Sequence, residues 1–593
     1  MDFDAGVIIE KDTLRELMDE GHSLLPTQWI DTDQNEHLKR PGKPHTPEFK
    51  SRLVACGQLE NCKGVRADSP TCDVEGLNMI CSWAACNKLR VDTADIRNAY
   101  FNADPMDRLM SLNPPRGGIP DQDNDIAIAA NKPIYGTKDA GRRFYKTFRR
   151  IALEQGLKES RFMKSLYYLT VDGKVAVMMA AHVDDLLWAA MPGYEDYIPK
   201  FLANFEIKKQ VQGSFRFCGR HYEQDADFNI TINATDNTEK VLPINFTRGD
   251  RGPEDKATAG EIAQMRSVIG SLAWVARQVR PELCYQTSKL QSVVATALVK
   301  HLEQCNKVLQ EAKATASRGL FFKAGAFNWD DAILVTTTDA SWANEKKIID
   351  GHIYPRRSQF GRINAIGSPD LWDGDNGVIH IIGWKSGLIR RMCRSTFRAE
   401  SQGMTYGTET GVYIRAVFTE VHDKFEFRNW ENACAKCMKH VWFTDCQSLH
   451  DYLVNPVAAG CEDKRLEIDL EGLREYLWED ENGIPKDDMN EDIHDKPRWV
   501  DTSAMICDPL TKAGNEKFAD RLVATMSTGR LTLEASPESQ IKKMKQQKAR
   551  KQKSSQYLTN KLLESWNDDS EGEGIDEANT GENHECETMQ VFQ

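Results

Sequence analysis

No run of apolar residues in this sequence is long enough to span a bilayer, and no signal-peptide pattern is found, so an intracellular protein is expected. No internal repeat is visible, which excludes a repeat architecture. A regular cysteine framework is missing too. The 15 cysteines are odd in number and irregularly spaced, and they read as buried thiols in a reducing compartment. One pair, Cys434 and Cys437 in "CAKC", has zinc-like spacing, with His440 and Cys446 nearby. A second CxxC pair is absent, and that favours core cysteines over zinc. Positive charge is in deficit: the formal net charge of -13 argues against indiscriminate nucleic-acid binding. The deficit is local, however. "WEDENGIPKDDMNED" (478–492) and "NDDSEGEGIDEANTGENHECE" near the C-terminus carry much of it, while "GRRFYKTFRR" (141–150) is basic.

What is present is an ordinary soluble composition, 40% hydrophobic and 28% charged, in a chain of 593 residues. That length exceeds one core and predicts two or three domains with linkers. Up to about residue 240, strand-like runs such as 89–96 and 174–183 alternate with the helical stretches 74–89 and 141–157. A helix-rich block follows over about 259–317, and a new alternating pattern opens at 332 and runs to about 530. The remaining residues begin with the basic "IKKMKQQKARKQK" (541–553), turn acidic, and are expected to be disordered. The basic stretch suits a solvated tail, a grip on nucleic acid or a nuclear import signal.

Two acidic constellations carry the chemistry. In the first, "VMMAAHVDDLLWAAM" (177–191) puts Asp184 and Asp185 between two apolar β-capable runs, the layout of a hairpin with both acids at or beside its turn. A solvated turn is the bland reading. A second strand, "VDTADIRNAYFNADP" (91–105), places Asp95 near its end and Tyr100 five residues later. Three carboxylates from adjacent strands would form a cage for hard divalent cations. In the second constellation, Asp339 ends a strand, Glu400 lies near the start of a helix (395–421), Asp445 sits at a strand–helix join and Asp508 precedes Pro509. Taken singly, these four have capping or first-turn roles as alternatives.

The ordered blocks resemble a known family. "EFKSRLVACG" (48–57), "ADIRNAYFNA", "PIYGTKDAGRRFY", "HVDDLLWAA" and "SVIGSLAWVARQVRPELCYQTSKLQS" (267–292) are similar to the blocks of copia-type LTR retrotransposon reverse transcriptases. "TDASWAN", "STFRAES", "TDCQSL" and "CDPLTK" are similar to the ribonuclease H blocks of the same elements. The resemblance implies an α/β (α+β) chain: a right-hand polymerase with fingers and palm over 1–255, a helical thumb or connection over 256–325, an RNase H-like mixed-sheet domain over 326–530, and a tail over 531–593. It implies two Mg²⁺ per active site, with Mn²⁺ as the alternative ion. Asp95, Asp184 and Asp185 would hold them for polymerisation, and Asp339, Glu400, Asp445 and Asp508 for hydrolysis of RNA in an RNA–DNA hybrid. Lys50 and Arg52 fall where the family meets the incoming triphosphate. Tyr100 falls against the sugar 2′ position, and Gly136 and Lys138 in the segment that backs nucleotide and template.

By the spacing of "DIRNAYF", Asp95 is selected over Asp92, which is expected at the surface. Two departures stand out: His182 replaces the family's Tyr, and Asp139 puts a negative charge where template or nucleotide is expected to pass. Between Asp339 and Glu400 the extra "SPDLWDGDNG" reads as a surface loop. The implied partners are an RNA template, a DNA primer, the hybrid, dNTPs and other element-encoded proteins, without a membrane. The implied setting is a cytoplasmic virus-like particle, with a nuclear phase. No zinc-knuckle, protease-like or integrase-like segment is seen, which suggests the C-terminal part of a longer polyprotein or a truncated copy. The competing expectations are a decayed or repurposed nucleic-acid-binding protein, and a chain with ribonuclease H activity alone.

Overall fold

The computed structural model describes residues 6–546 and 548, apart from 22, 34–43, 61–62, 109, 123–124, 350–351, 458–459, 462, 481, 491–492 and 513–515. Side chains of 344–356 and 516–518 are likewise outside the description, as are most of the basic stretch and the acidic tail. Residues Met1–Glu534 form one compact unit and Ala535–Gln593 a second, in which 537–546 are helical. Among the described residues, no helix is long and apolar enough to cross a membrane.

The apolar runs on either side of Asp184 and Asp185 are neighbouring strands of one sheet. Six strands lie in the order Ile207–Gln212, Val91–Ile96, Asp185–Ala190, Lys174–His182, Leu166–Val171, Lys158–Glu159. The strand Lys174–His182 is buried from Val175 to Ala181 because both faces are covered. Met178, Ala180 and Leu187 join the large core with Leu77, Ile80 and Trp83 of the helix Val74–Cys86. Their neighbours Val177, Met179, Ala181 and Trp188 join a second core with Phe144 and Phe148 of the helix Ala140–Glu154, and with Phe201 and Phe205. Successive side chains thus feed opposite cores, as the pleat dictates.

A five-stranded sheet lies upstream, ordered Gly6–Glu10, Ile126–Ala130, Met110–Asn113, Ser23–Asp33, Phe49–Ala55. Downstream is a small four-stranded sheet and then the helices Ala259–Gln278, Cys284–Val293 and Val299–Ala314. The first of these helices opens on a capping box: Thr258 Oγ1 accepts from Glu261 N, and Thr258 N donates to Glu261 at 2.8 Å.

The last sheet is mixed, in the order Asp495–Trp499, His440–Thr444, Ile333–Ile349, His352–Gly367, Asn376–Leu388, Arg530–Thr532. The Asp339 strand runs parallel to His440–Thr444 and antiparallel to His352–Gly367. It does not end at Asp339 as the sequence suggested but continues to Ile349. The helix Thr396–Val421 lies close along it. A Cβ on Gly407 would come within 2.4 Å of Thr338 Cγ2, and one on Gly411 within 2.6 Å of the His440 ring. The extra loop is a surface loop anchored by the fully buried Leu371 and by Arg498, which donates to the carbonyls of Leu371 and Gly374.

The hairpin sheet and the mixed sheet share the large core. At their contact Asn78 donates to the Ile382 carbonyl at 2.9 Å, and Ser82 meets His380 Nδ1 at 2.9 Å. Glu420, buried, accepts from Ser160 Oγ at 2.6 Å and from Arg161 N at 3.1 Å.

Beneath the mixed sheet, Arg415 and Asp495 form a buried ion pair at 2.9 Å, and Arg415 also donates to the carbonyls of Met438 and His494. Burial alone would raise the Asp495 carboxyl, but Arg415 and His440 hold it below its usual range. Breaking one side of such a pair leaves a charge uncompensated. Arg415→Met is therefore expected to destabilise the chain by roughly 3–5 kcal/mol, read as a lower urea midpoint with an unchanged slope. His440, the expected neighbour of the "CAKC" pair, is engaged here as well, with its ring nitrogens facing Thr336 and Asp495. Cys434 and Cys437 lie on the helix Trp430–Cys437.

Candidate active sites

The first site is built by strand register. The hairpin turns at Val183–Asp184, one residue earlier than the Asp-Asp dipeptide, so that Asp185 opens its strand opposite His182. Val183 has φ of 60°, a conformation unfavourable for a β-branched residue, held by the strands on either side. Asp185 is the direct cross-strand partner of Asp95, and Ile96 N donates to the Asp184 carbonyl at 2.8 Å. All three acids therefore converge at one sheet end. Burial, followed by the charges of Asp184 and Asp95, pushes the Asp185 carboxyl up to about 6. Burial also raises Asp184, and Asp95 adds to it. A bound cation would relieve the repulsion that Asp184 and Asp95 impose on Asp185.

Cationic and aromatic groups face this end. Lys208 Nζ lies 2.8 Å from Asp95 Oδ2. Lys50 and Arg52 share one face of the strand Phe49–Ala55. Burial and the like charges of Arg52 and Lys208 lower the Lys50 ammonium, against the pull of Asp95 and Asp184. Tyr100, on the short helix Ala99–Asn102, packs on Tyr135 with ring centroids 4.7 Å apart. Both phenols are raised, first by burial and then by Asp184, Tyr135 to about 12.

Gly136 does not face the acids. With φ of +94° it lies against the end of the Lys50 strand, where a Cβ would meet the Ala55 carbonyl oxygen at 2.1 Å. Tyr135 O accepts from Ala55 N at 2.8 Å there. Lys138 donates from Nζ to the Glu60 carbonyl at 3.1 Å, so its ammonium is tied to the same loop junction. Asp139 has its charge compensated within the fold. It is buried between Arg108 and Arg143, at 2.5 and 2.6 Å, and burial is overcome by these bonds to hold its carboxyl below the usual range. Asp92 is not at the surface but half-buried, its carboxyl raised by burial. Tyr135 and Lys208 were missed by sequence reading. Tyr135 stood next to Gly136 in a quoted block, whereas Lys208 carried no signal.

The second site is tighter. Oxygens of Asp339, Glu400 and Asp445 all lie within 4.8 Å of one another, the one such group of three among the described residues. Asp339 and Glu400 are buried. Glu400 Oε2 is buried without a hydrogen-bond partner, an orphaned acceptor suited to a cation. Burial, with Asp445 and Asp508 adding to it, raises Asp339 despite Lys512. Burial, then Asp339 and Asp445, pushes Glu400 far up.

Asp508 joins through Lys512, whose Nζ lies 2.7 Å from Asp508 and 3.7 Å from Asp339 Oδ2. Thr511 Oγ1 also donates to Asp339. None of these acids takes the N-cap position itself, although Asp508 stands in the first turn of its short helix. Ser395 caps the Glu400 helix, Cys446 occupies the cap position after Asp445, and Cys507 the one before Asp508. A pocket of about 350 Å³ opens onto this site, lined by the three clustered acids, Trp342, Thr396 and Lys512 among others.

Residues 16–249 match the family described as reverse transcriptase (RNA-dependent DNA polymerase). Among curated proteins, the chain is 24% identical over 390 residues to the retrovirus-related Pol polyprotein from transposon RE1 of Arabidopsis thaliana, covering 63% of this chain and 25% of that protein. It is 24% identical over 246 residues to a putative Ty5-1 transposon protein of Saccharomyces cerevisiae, covering 39% of this chain and 79% of that protein. It is 22% identical over 380 residues to a truncated Ty1-A Gag-Pol polyprotein of the same yeast, covering 59% of this chain and 30% of that protein. The chain thus spans about a quarter of the length of the Arabidopsis relative.

Proposed function

We propose, from the premise that this chain is a relative of copia-type retrotransposon Pol polyproteins with a reverse transcriptase domain at 16–249, that it copies RNA into DNA and hydrolyses the RNA of the resulting hybrid at a second site. The observation that carries the first activity is the register of Asp95 against Asp185, beside Asp184 and within the field of Lys50 and Arg52. When bound there, two divalent cations, Mg²⁺ or Mn²⁺, supply Lewis-acid activation of a primer hydroxyl and charge stabilisation for the leaving pyrophosphate. Asp95, Asp184 and Asp185 hold them. Arg52 offers a planar fork to triphosphate oxygens and Lys50 a second positive charge. Tyr100, backed by Tyr135, forms the wall against the sugar.

For the second activity the support is the carboxylate set of Asp339, Glu400 and Asp445, with Asp508 alongside. The two parallel and three antiparallel pairings of the mixed sheet under the Glu400 helix suit an RNase H-like domain. The competing reading of a decayed copy loses one of its two supports, since Asp139 is neutralised inside the fold. A primed RNA template with dNTPs and Mg²⁺ tests the proposal: extension and loss of the RNA strand are both expected, and a chain that does neither contradicts it.

Tyr100→Ala is expected to admit ribonucleotides. The ratio of kcat/KM for dNTP over rNTP should fall on the order of 10–100-fold, with dNTP incorporation itself less affected.

Extension should also depend on pH in a defined direction. With its carboxyl raised to about 6, Asp185 is protonated below that pH and loses its ligand charge. Protons and cations then compete for the same oxygens. At limiting Mg²⁺, extension is expected to fall as pH drops through about 6, and more Mg²⁺ should shift that midpoint lower. A midpoint insensitive to Mg²⁺ contradicts the assignment.

A further inference from the structure

Four exposed cations lie between the helical block and the second acidic site: Arg277, Lys385, Arg390 and Arg394. Among the described residues none of the four has an ion-pair partner. Their order in space follows the fold. Arg277 closes the helix Ala259–Gln278, and the preceding Ala276 carbonyl accepts from Trp384 Nε1 at 2.9 Å, which sets Arg277 beside the strand Asn376–Leu388. On that strand Lys385 stands directly opposite Arg362 of the neighbouring strand. Like charges in that position repel; Lys385 has no ion pair, while Arg362 feels the carboxylate of Glu75 and donates to Asn364 Oδ1 at 2.5 Å. Burial, then Arg362, Arg277 and Arg390, lower the Lys385 ammonium, as expected for cations crowded together.

The segment after the strand continues the series towards the pocket. Ile389 and Cys393 anchor it in a small core with Ala340, Phe360 and Ala399, which leaves Arg390 and Arg394 facing water. Arg391, between them, is spent on Asp469 at 3.0 Å. The Cys393 carbonyl accepts from Trp342 Nε1 at 3.0 Å. Trp342 is 44% exposed and lines the pocket that holds Asp339, Glu400 and Asp445. Its placement is built by the backbone. The pairing register shifts just after Ser341, and Ala343 has φ of 54°, a bulge that re-aims the side chain three residues beyond Asp339. A large, partly exposed ring pinned by its own N–H thus stands next to the carboxylate pocket.

We propose that Arg277, Lys385, Arg390 and Arg394 form a track for the phosphate backbone of an RNA–DNA hybrid, ending at Trp342, whose ring packs on the sugar edge of the strand presented to the carboxylates. The inference rests on the hydrolytic reading of the second site. Its chemistry is sequence-independent: cations read backbone charge and displace counterions, while the indole supplies apolar contact at the end of the path.

The test uses the full chain and a fluorescein-labelled RNA–DNA hybrid, with Ca²⁺ in place of Mg²⁺, and measures Kd across a salt series. Each of Arg277→Gln, Lys385→Gln, Arg390→Gln and Arg394→Gln should lower the slope of log Kd against log salt by about 0.9, and the four together by about 3–4. Trp342→Ala should weaken binding several-fold at unchanged slope, and Trp342→Phe should restore most of it. Circular dichroism and thermal midpoint control for folding, which exposed positions should leave intact. An unchanged slope in the fourfold variant overturns the track. The reading it rests on fails separately: a wild-type chain that binds the hybrid with the full slope but leaves its RNA intact in Mg²⁺ refutes the hydrolysis and not the track.

Discussion

Replacing Asp184 by Asn is expected to reduce primer extension by on the order of 10²–10³-fold while hydrolysis of RNA in a preformed hybrid continues. The size follows from what the residue faces. Asp184 and Asp185 sit at a turn whose carboxylates, with Asp95, are mutually repelling and partly withdrawn from water. An amide at position 184 keeps the shape and removes a charge that the cations and the triphosphate both need. Losing one such electrostatic contact in a preorganised site costs about 3–4 kcal/mol. Asp95→Asn should act alike, because Asp95 is the register partner of Asp185. Extension that survives Asp95→Asn would show that the chemistry lies elsewhere. Steady-state extension on a primed RNA template, beside a hydrolysis assay on a labelled hybrid, separates these outcomes.

Glu400→Gln is expected to produce the converse loss. RNA hydrolysis should drop by a similar order, roughly 10³-fold, with extension retained. Glu400 is nearly buried, one of its oxygens has no partner, and its charge is opposed by Asp339 and Asp445. A neutral Gln relieves that repulsion, so the substitution should raise the thermal midpoint as it removes activity. This opposite movement is the discriminating feature. A Glu400 that served only to pack its helix would be stabilising as the native residue, and Glu400→Gln would then lower the midpoint. Differential scanning calorimetry beside the hydrolysis assay reads both quantities on one preparation.

The sequence by itself determined the elements that local chemistry controls. The two-faced burial of Lys174–His182 was written in its unbroken apolar run, and the helices at 74–86 and 140–154 in their periodicity. The seven acids were identifiable because their order and flanking residues match a known set of blocks. The approach of the Glu400 helix to the Asp339 strand is legible in the four-residue spacing of Gly403, Gly407 and Gly411.

The tertiary structure alone decided who meets whom. That Asp185 opposes Asp95, that Lys208 lies on Asp95, and that Lys512 links Asp508 to Asp339 depend on register between strands and on helix–sheet distance. The same holds for Asp139, whose charge looked misplaced until Arg108 and Arg143 closed around it. Periodicity reports only which face a side chain takes within its own element. Coulombic partners separated by many tens of residues are chosen by the packing of whole sheets, and no local pattern encodes that choice.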